Sequence, residues 1–148
     1  MIIVDTREPT KKIGEILSTI NFPYEFPEIR FEKLDHGDYY ITGKKMNLLI
    51  SRKTISDFCQ SYILLHKQLK SMRELGEQTA LMIEGTYIIR NGKIYLFRGN
   101  MLCPACSYLT YSSFLLSQQK YGTFILNTFN LEETILRILM IHKKLNSR

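Results

Sequence analysis

The sequence predicts an α/β domain with a mixed central sheet and helices on both faces. Three observations predict it. Short apolar runs of strand length alternate with stretches whose apolar residues recur at helical spacing through most of the 148 residues. Two turn signals, Gly43-Lys44-Lys45 and Asn91-Gly92, add hairpins to that alternation, the second because both residues tolerate positive φ in a type I′ turn. An apolar content of 45% and a charged content of 23% suit a chain that buries one core.

Met1–Val4 reads as a buried strand ending at Asp5. Thr10–Thr19 reads as a helix, with Ile13, Ile16, Leu17 and Ile20 on one face, stopped by Asn21-Phe22-Pro23. Tyr24–Lys33 carries two prolines and reads as irregular or as an edge strand. Gly37 turns the chain into a strand over Asp38–Thr42, which pairs with the apolar strand Met46–Ile50. Thr54 or Ser56 caps a helix through Ser61, and a second helical stretch runs to about Leu75 with Leu65, Leu69 and Met72 on one face. Thr79–Ile83 is a buried strand closing at Glu84-Gly85, and Thr86–Arg98 a hairpin. Pro104–Gln118 is expected to be helical and Gly122–Leu126 extended. Asn130 and Glu133 make a capping-box arrangement at the last helix, whose apolar face is Leu131, Ile135, Ile138, Leu139 and Leu145.

Residues 1–148 read as a single domain, with no internal repeat, low-complexity segment or dividing linker. No apolar run reaches the roughly 18–20 residues that span a bilayer, and MIIVDTRE has no signal-peptide pattern. With three cysteines, the expected compartment is intracellular and reducing: the cytoplasm of a prokaryote or virus-infected cell, or a nucleus. The net charge of +6 favours a polyanionic partner without demanding one.

Asp38, Ser51 and Lys53 carry the chemistry. Hydrolysis of a phosphodiester uses acids to hold a divalent cation near the phosphate and a cation to stabilise the added negative charge. Alternate residues of a strand point the same way, so positions 51 and 53 project together, and Asp38 meets them across the hairpin. Serine is a poor Mg²⁺ ligand beside a carboxylate. On these residues alone, a turn aspartate and a surface lysine remain the bland reading.

The ordered series VDTRE at 4–8, LDHGDY at 34–39, ISRKTISDF at 50–58, Ser61 and LMIEG at 81–85 resembles the nuclease domain of XPF-type structure-specific endonucleases. The family signature of GD, then ERK, three residues and D stands here as Gly37-Asp38, Ser51-Arg52-Lys53 and Asp57, and the resemblance continues through YSSFLLSQQKYGTFILNTFNLEETILRIL. It implies a restriction-endonuclease-like three-layer fold. It implies Asp38 and residue 51 (Glu expected, Ser51 present) as metal ligands and Lys53 as the catalytic lysine. Arg52 and Asp57 would flank the site, and Asp5 and Glu8 would support it from the neighbouring strand end. Arg7 would contact phosphate or tie the acids together. The implied cofactor is Mg²⁺ or Mn²⁺ and the implied partner branched, flapped or junction DNA. A homodimer or heterodimer through the nuclease domain and no membrane association are also implied.

Three departures accompany the resemblance. Ser51 replaces the metal-binding glutamate, which implies an inactive or impaired site; retention of the other site positions points to a recent or introduced loss. The family's arginine and glutamine after the serine are matched poorly by SYILLHKQLKSM, where His66 and Gln68 stand near those places. No helix-hairpin-helix module follows. The alternative is a non-catalytic, degenerate DNA-binding or scaffold subunit. Lys67, Lys70 and Arg73 form the candidate phosphate-tracking face, joined by Arg7 and Arg52 as candidate DNA contacts. Cys103-Pro-Ala-Cys106 has half-zinc-site spacing but no second pair, so packing at a helix start is expected. The 86–98 hairpin, with Arg90, Lys93 and Arg98, suits DNA or a partner equally.

Overall fold

The computed structural model describes residues 1–147. Its elements in chain order are β1 (Ile2–Val4), α1 (Thr10–Thr19), β2 (Ile29–Phe31), β3 (Tyr39–Ile41), β4 (Leu48–Thr54), α2 (Ile55–Glu74), β5 (Gln78–Glu84), β6 (Ile88–Arg90), β7 (Lys93–Arg98), β8 (Met101–Ser107), α3 (Tyr108–Lys120), β9 (Phe124–Thr128) and α4 (Leu131–Asn146). A six-stranded sheet in the order β2-β1-β3-β4-β5-β9 forms the middle layer, and β6-β7-β8 make a separate small sheet. The central sheet is mixed: β1 lies parallel to β2 and antiparallel to β3, the β3–β4 hairpin is antiparallel, and β4, β5 and β9 are parallel.

Strand alternation divides the core in two. Ile2, Val4, Tyr39, Ile41, Leu48, Ile50, Ala80 and Met82 face α1 and α4, where they meet Ile13, Ile135, Ile138 and Leu139. Leu49, Leu81 and Ile83 point to the other side, against Phe58, Leu65, Leu69 and Met72 of α2 and Ile94 and Leu96 of β7. This is the three-layer mixed α/β arrangement that the sequence predicts. Asn91 (φ 50°) and Gly92 (φ 74°) take the positive-φ turn of the β6–β7 hairpin. The Asn130 side chain caps α4 by accepting from the Glu133 N–H at 2.9 Å.

The main departures from expectation are three. β4 does not end at Ile50 but runs to Thr54, because Ser51–Thr54 keep pairing with β5 after β3 has stopped. As expected, two helical stretches meet at Ser61, where non-helical torsions (φ −144°, ψ 31°) break α2. The Ser61 hydroxyl donates to the Asp57 carbonyl at 2.9 Å, a back-bond that bends helices. Residues 104–107, expected to be helical, are extended: β8 is an edge strand, and Pro104 sits beside a register shift where no ladder N–H is needed. The last strand starts at Phe124 rather than Gly122.

The cysteines also differ. Cys106 does not open a helix but is disulfide-bonded to Cys59 of α2, with their Cα atoms 5.4 Å apart, leaving Cys103 free. The bond ties the small sheet to α2. Among the described residues, no helix is long and apolar enough to cross a membrane. Unreduced protein should therefore titrate one thiol and reduced, denatured protein three. By loop-closure entropy the bond, spanning 47 residues, should contribute about 4 kcal/mol. Three thiols in the unreduced sample would show that the bond does not form.

Candidate functional site

The site lies where several strands end together. β1 leaves the sheet at Asp5, β3 enters it after Asp38, and β4 and β5 run out at Thr54 and Glu84, all at one edge. The backbone locks the junction: the Asp5 N–H donates to the Asp38 carbonyl (2.9 Å) and the Asp38 N–H to the Ile50 carbonyl (2.7 Å). Gly37 has φ 78°, and a Cβ there would meet Leu49 Cδ1 at 2.7 Å. Only glycine lets Asp38 come this close to β4.

Alternation along β4 then sorts the functional side chains. Ser51 and Lys53 continue the α2 side of the sheet after Leu49, while Arg52 follows Leu48 and Ile50 to the α1/α4 side. On that second side the Arg52 guanidinium donates to Glu8 Oε1 (2.7 Å) and Glu84 Oε2 (2.8 Å). Glu84 Oε1 accepts from the Thr134 hydroxyl of α4 (2.7 Å), which in turn lies 2.6 Å from the Thr128 hydroxyl. Burial works against the guanidinium's charge, but the Glu8 and Glu84 carboxylates hold its pKa above the ordinary value. From the same residue the backbone N–H donates to Asp38 Oδ2 at 2.7 Å.

The two aspartates differ in electrostatics. Asp5 is fully buried. Burial favours its neutral form, yet Arg7 Nε (2.6 Å) and the Leu34 (2.7 Å) and Arg7 (3.0 Å) N–H groups hold its pKa below the usual value. Burial pushes the Asp38 carboxyl up to about 6, with Glu8 and Asp5 adding negative charge and the Arg52 N–H opposing. Asp38 is thus a carboxylate poorly compensated by its own protein.

A cleft of about 500 Å³ opens over this edge, lined by Arg7, Glu8, Asp38, Ser51, Arg52, Lys53, Asp57 and Lys67 of the sequence-predicted set. Among the described residues, Lys53 makes no ion pair. Asp5 lies beneath the cleft rather than on its wall. Two expected DNA contacts already have partners within the protein. The Arg52 guanidinium is paired with Glu8 and Glu84 at the cleft wall. Arg73 is held by Gln118 Oε1 (2.6 Å) and Thr123 Oγ1 (3.0 Å) and lies over the Tyr121 ring, tying α2 to the end of α3. Lys70 borders the same separate hollow, so the expected Lys67, Lys70 and Arg73 face is divided between two places.

The sequence reading missed Glu84 as a functional residue. A charged residue closing an apolar strand signals a buried partner, but not which one. Asp35, His36, Gln68 and Ser71 also line the cleft, and the LDHGDY motif already contains the first two.

The donor set falls short of a divalent-cation site. Mg²⁺ takes oxygen ligands in near-octahedral geometry, commonly one or two carboxylates beside water and substrate phosphate. Both oxygens of Asp5 and both of Glu8 are engaged by protein donors. Asp38 Oδ1 stays uncommitted, as do the Asp35 and Asp57 carboxylates on the cleft wall, yet no group of three or more metal-binding side chains assembles among the described residues.

A family model for the ERCC4 domain matches residues 4–140. The chain belongs to the ERCC4 domain family. The XPF protein of Aeropyrum pernix superposes on this ERCC4 domain with a TM-score of 0.67 and 24% identity, covering 97% of this chain and 63% of that one. The same protein in complex with DNA gives 0.62 and 24% identity, with 97% and 64% covered. That likeness shows the fold. The chain spans a little under two thirds of the length of those structures. No curated protein matches. The expected XPF-type nuclease-domain fold is therefore present, in a chain of the ERCC4 domain family.

Two outcomes follow for this ERCC4 domain. Arg52→Met strands two buried carboxylates and should cost about 3–5 kcal/mol in denaturant unfolding, partly recovered by adding Glu84→Gln. A loss below about 1 kcal/mol would show that the ion pairs do not hold the edge together. Because folding raises the Asp38 pKa to about 6, the folded protein binds that proton more tightly than the unfolded chain. Stability from this group is present below about pH 4 and lost as pH rises to about 6. Asp38→Asn should therefore stabilise at pH 7.5 by roughly 1–2 kcal/mol, after discounting for partial exposure, and change little at pH 4. Destabilisation at pH 7.5 would contradict the assignment.

Proposed function

We propose that residues 1–148 form a single ERCC4 nuclease unit. It receives branched or flapped DNA with a backbone phosphate in the cleft, and Ser51 impairs its endonuclease activity. The observation that carries this is the convergence of Asp38, Ser51 and Lys53 on one side of β4 above a built supporting network, with one carboxylate too few. Lys53 supplies positive charge for the phosphate as its negative charge grows. Arg7 and Lys67 at the cleft wall give sequence-independent backbone contacts. Arg52 acts as a positioning residue, through its N–H on Asp38 and its grip on Glu8 and Glu84. Asp57 flanks the cleft at the start of α2. Mg²⁺ or Mn²⁺ is the cofactor of the form that carries glutamate at 51. The unit pairs with a second nuclease-fold domain, identical or related, and works where DNA is found inside a cell.

A second reading, a non-catalytic DNA-binding scaffold, is favoured by the internal commitment of Asp5 and Glu8, which takes both out of a ligand set with Asp38. One comparison separates the two. Ser51→Glu should cut flapped or branched DNA with Mg²⁺ or Mn²⁺, whereas the Ser51 chain should bind the same DNA and leave it intact. A glutamate variant that still binds but is inert on branched, flapped and single-stranded substrates makes the protein a scaffold.

A further inference from the structure

The small sheet has one face packed and one face free. Ile94 and Leu96 of β7 point into the core against α2. Lys93, Tyr95 and Phe97 alternate with them and point the other way. Cross-strand register puts Ile88 and Leu102 on the same outer face, opposite Tyr95 and Phe97, and Arg90 opposite Lys93. Phe97 is 61% exposed. Residues 85–107 contain three bases and no acid, contributing +3 of the chain's +6.

We propose that this face is a stacking platform for single-stranded DNA, receiving the unpaired arm of the substrate whose phosphate occupies the cleft. The inference rests on the DNA-handling function above and extends it. Two rings on alternate strand positions lie about 6.8 Å apart. That is about twice the ~3.4 Å rise between successive phosphates of one strand in a duplex. A stretched single strand reaches this spacing and a stacked duplex does not. Every base has a π face, so such rings bind without reading sequence, while adjacent bases hold the backbone. Arg90 and Lys93 supply those charges. Because the face carries no acid, it complements a polyanion better than a mixed-charge protein surface. The disulfide joins Cys106 of β8 to Cys59 of α2, the helix whose Asp57, Lys67 and Gln68 line the cleft, so platform and cleft flank the same helix on different sides.

The test uses the full Ser51 chain and a labelled oligothymidylate of roughly 20 nucleotides, with a duplex of equal length as control. Tyr95→Ala and Phe97→Ala should each weaken single-strand binding about fivefold or more. Duplex affinity should stay within about twofold, because phosphate contacts dominate it. Phe97→Leu should be as weak as the alanine variant, and Arg90→Ala with Lys93→Ala should flatten the salt dependence. Equal losses on single strand and duplex, no loss, or full retention by Phe97→Leu would overturn the inference, the last in favour of an apolar protein-docking face. Should a variant lose cooperative melting, ultraviolet crosslinking of the unsubstituted chain decides. Adducts on Tyr95 or Phe97 support the platform, and adducts confined to cleft peptides reject it. If Ser51→Glu cuts flaps while the ring variants bind normally, only the platform falls. If it is inert while the rings matter, only the nuclease reading falls.

Discussion

Everything at the cleft depends on Arg52 being pulled to the far side of β4. A buried guanidinium between Glu8 and Glu84 joins the loop after β1 to the end of β5, and the Thr134 hydroxyl carries the link into α4. Pinned in this way, residue 52 must present its N–H at the edge where Asp38 Oδ2 receives it. Strand alternation then leaves positions 51 and 53 facing the cleft. One ion-pair network thereby fixes the direction of three neighbouring functional positions. It also explains why an arginine inside the signature does not have to touch substrate to matter. Lysine has one compact donor group and cannot grip two carboxylates with a planar fork.

The same network explains the contrast between the two aspartates. Asp5 receives three donors and is a settled anion that anchors Arg7 and the Leu34 turn. Asp38 receives one and is left with a raised pKa in a hollow that also holds Lys53. A carboxylate kept uncomfortable at a cleft is a common trade of stability for function. The residue at 51 stands next to it, and serine offers no charge there.

Much of this was legible in the sequence. Gly37-Asp38 and Ser51-x-Lys53 needed only strand period and a hairpin to be brought together, and the cleft contains all three side chains. Local signals such as Asn91-Gly92 and the Asn130 cap were readable because they depend on nearest neighbours alone. What escaped was set by distant packing. Helical spacing groups Lys67, Lys70 and Arg73, but it does not say that Gln118, Thr123 and Tyr121 wait beside the arginine. Pro104 reads as a helix start until a neighbouring strand gives it an edge to occupy. Glu84 closes a motif visible in the sequence, yet its partner comes from β4, across a parallel pairing that no local pattern encodes.

The central claim is that this edge is a complete support for a site lacking a single acid. Titration of Mn²⁺ followed by electron paramagnetic resonance addresses it without relying on cleavage. The account predicts weak binding by the Ser51 protein, a gain of roughly tenfold or more in Ser51→Glu, and loss of that gain when Asp38→Asn is added. Equal Mn²⁺ affinity in the serine and glutamate proteins would contradict it.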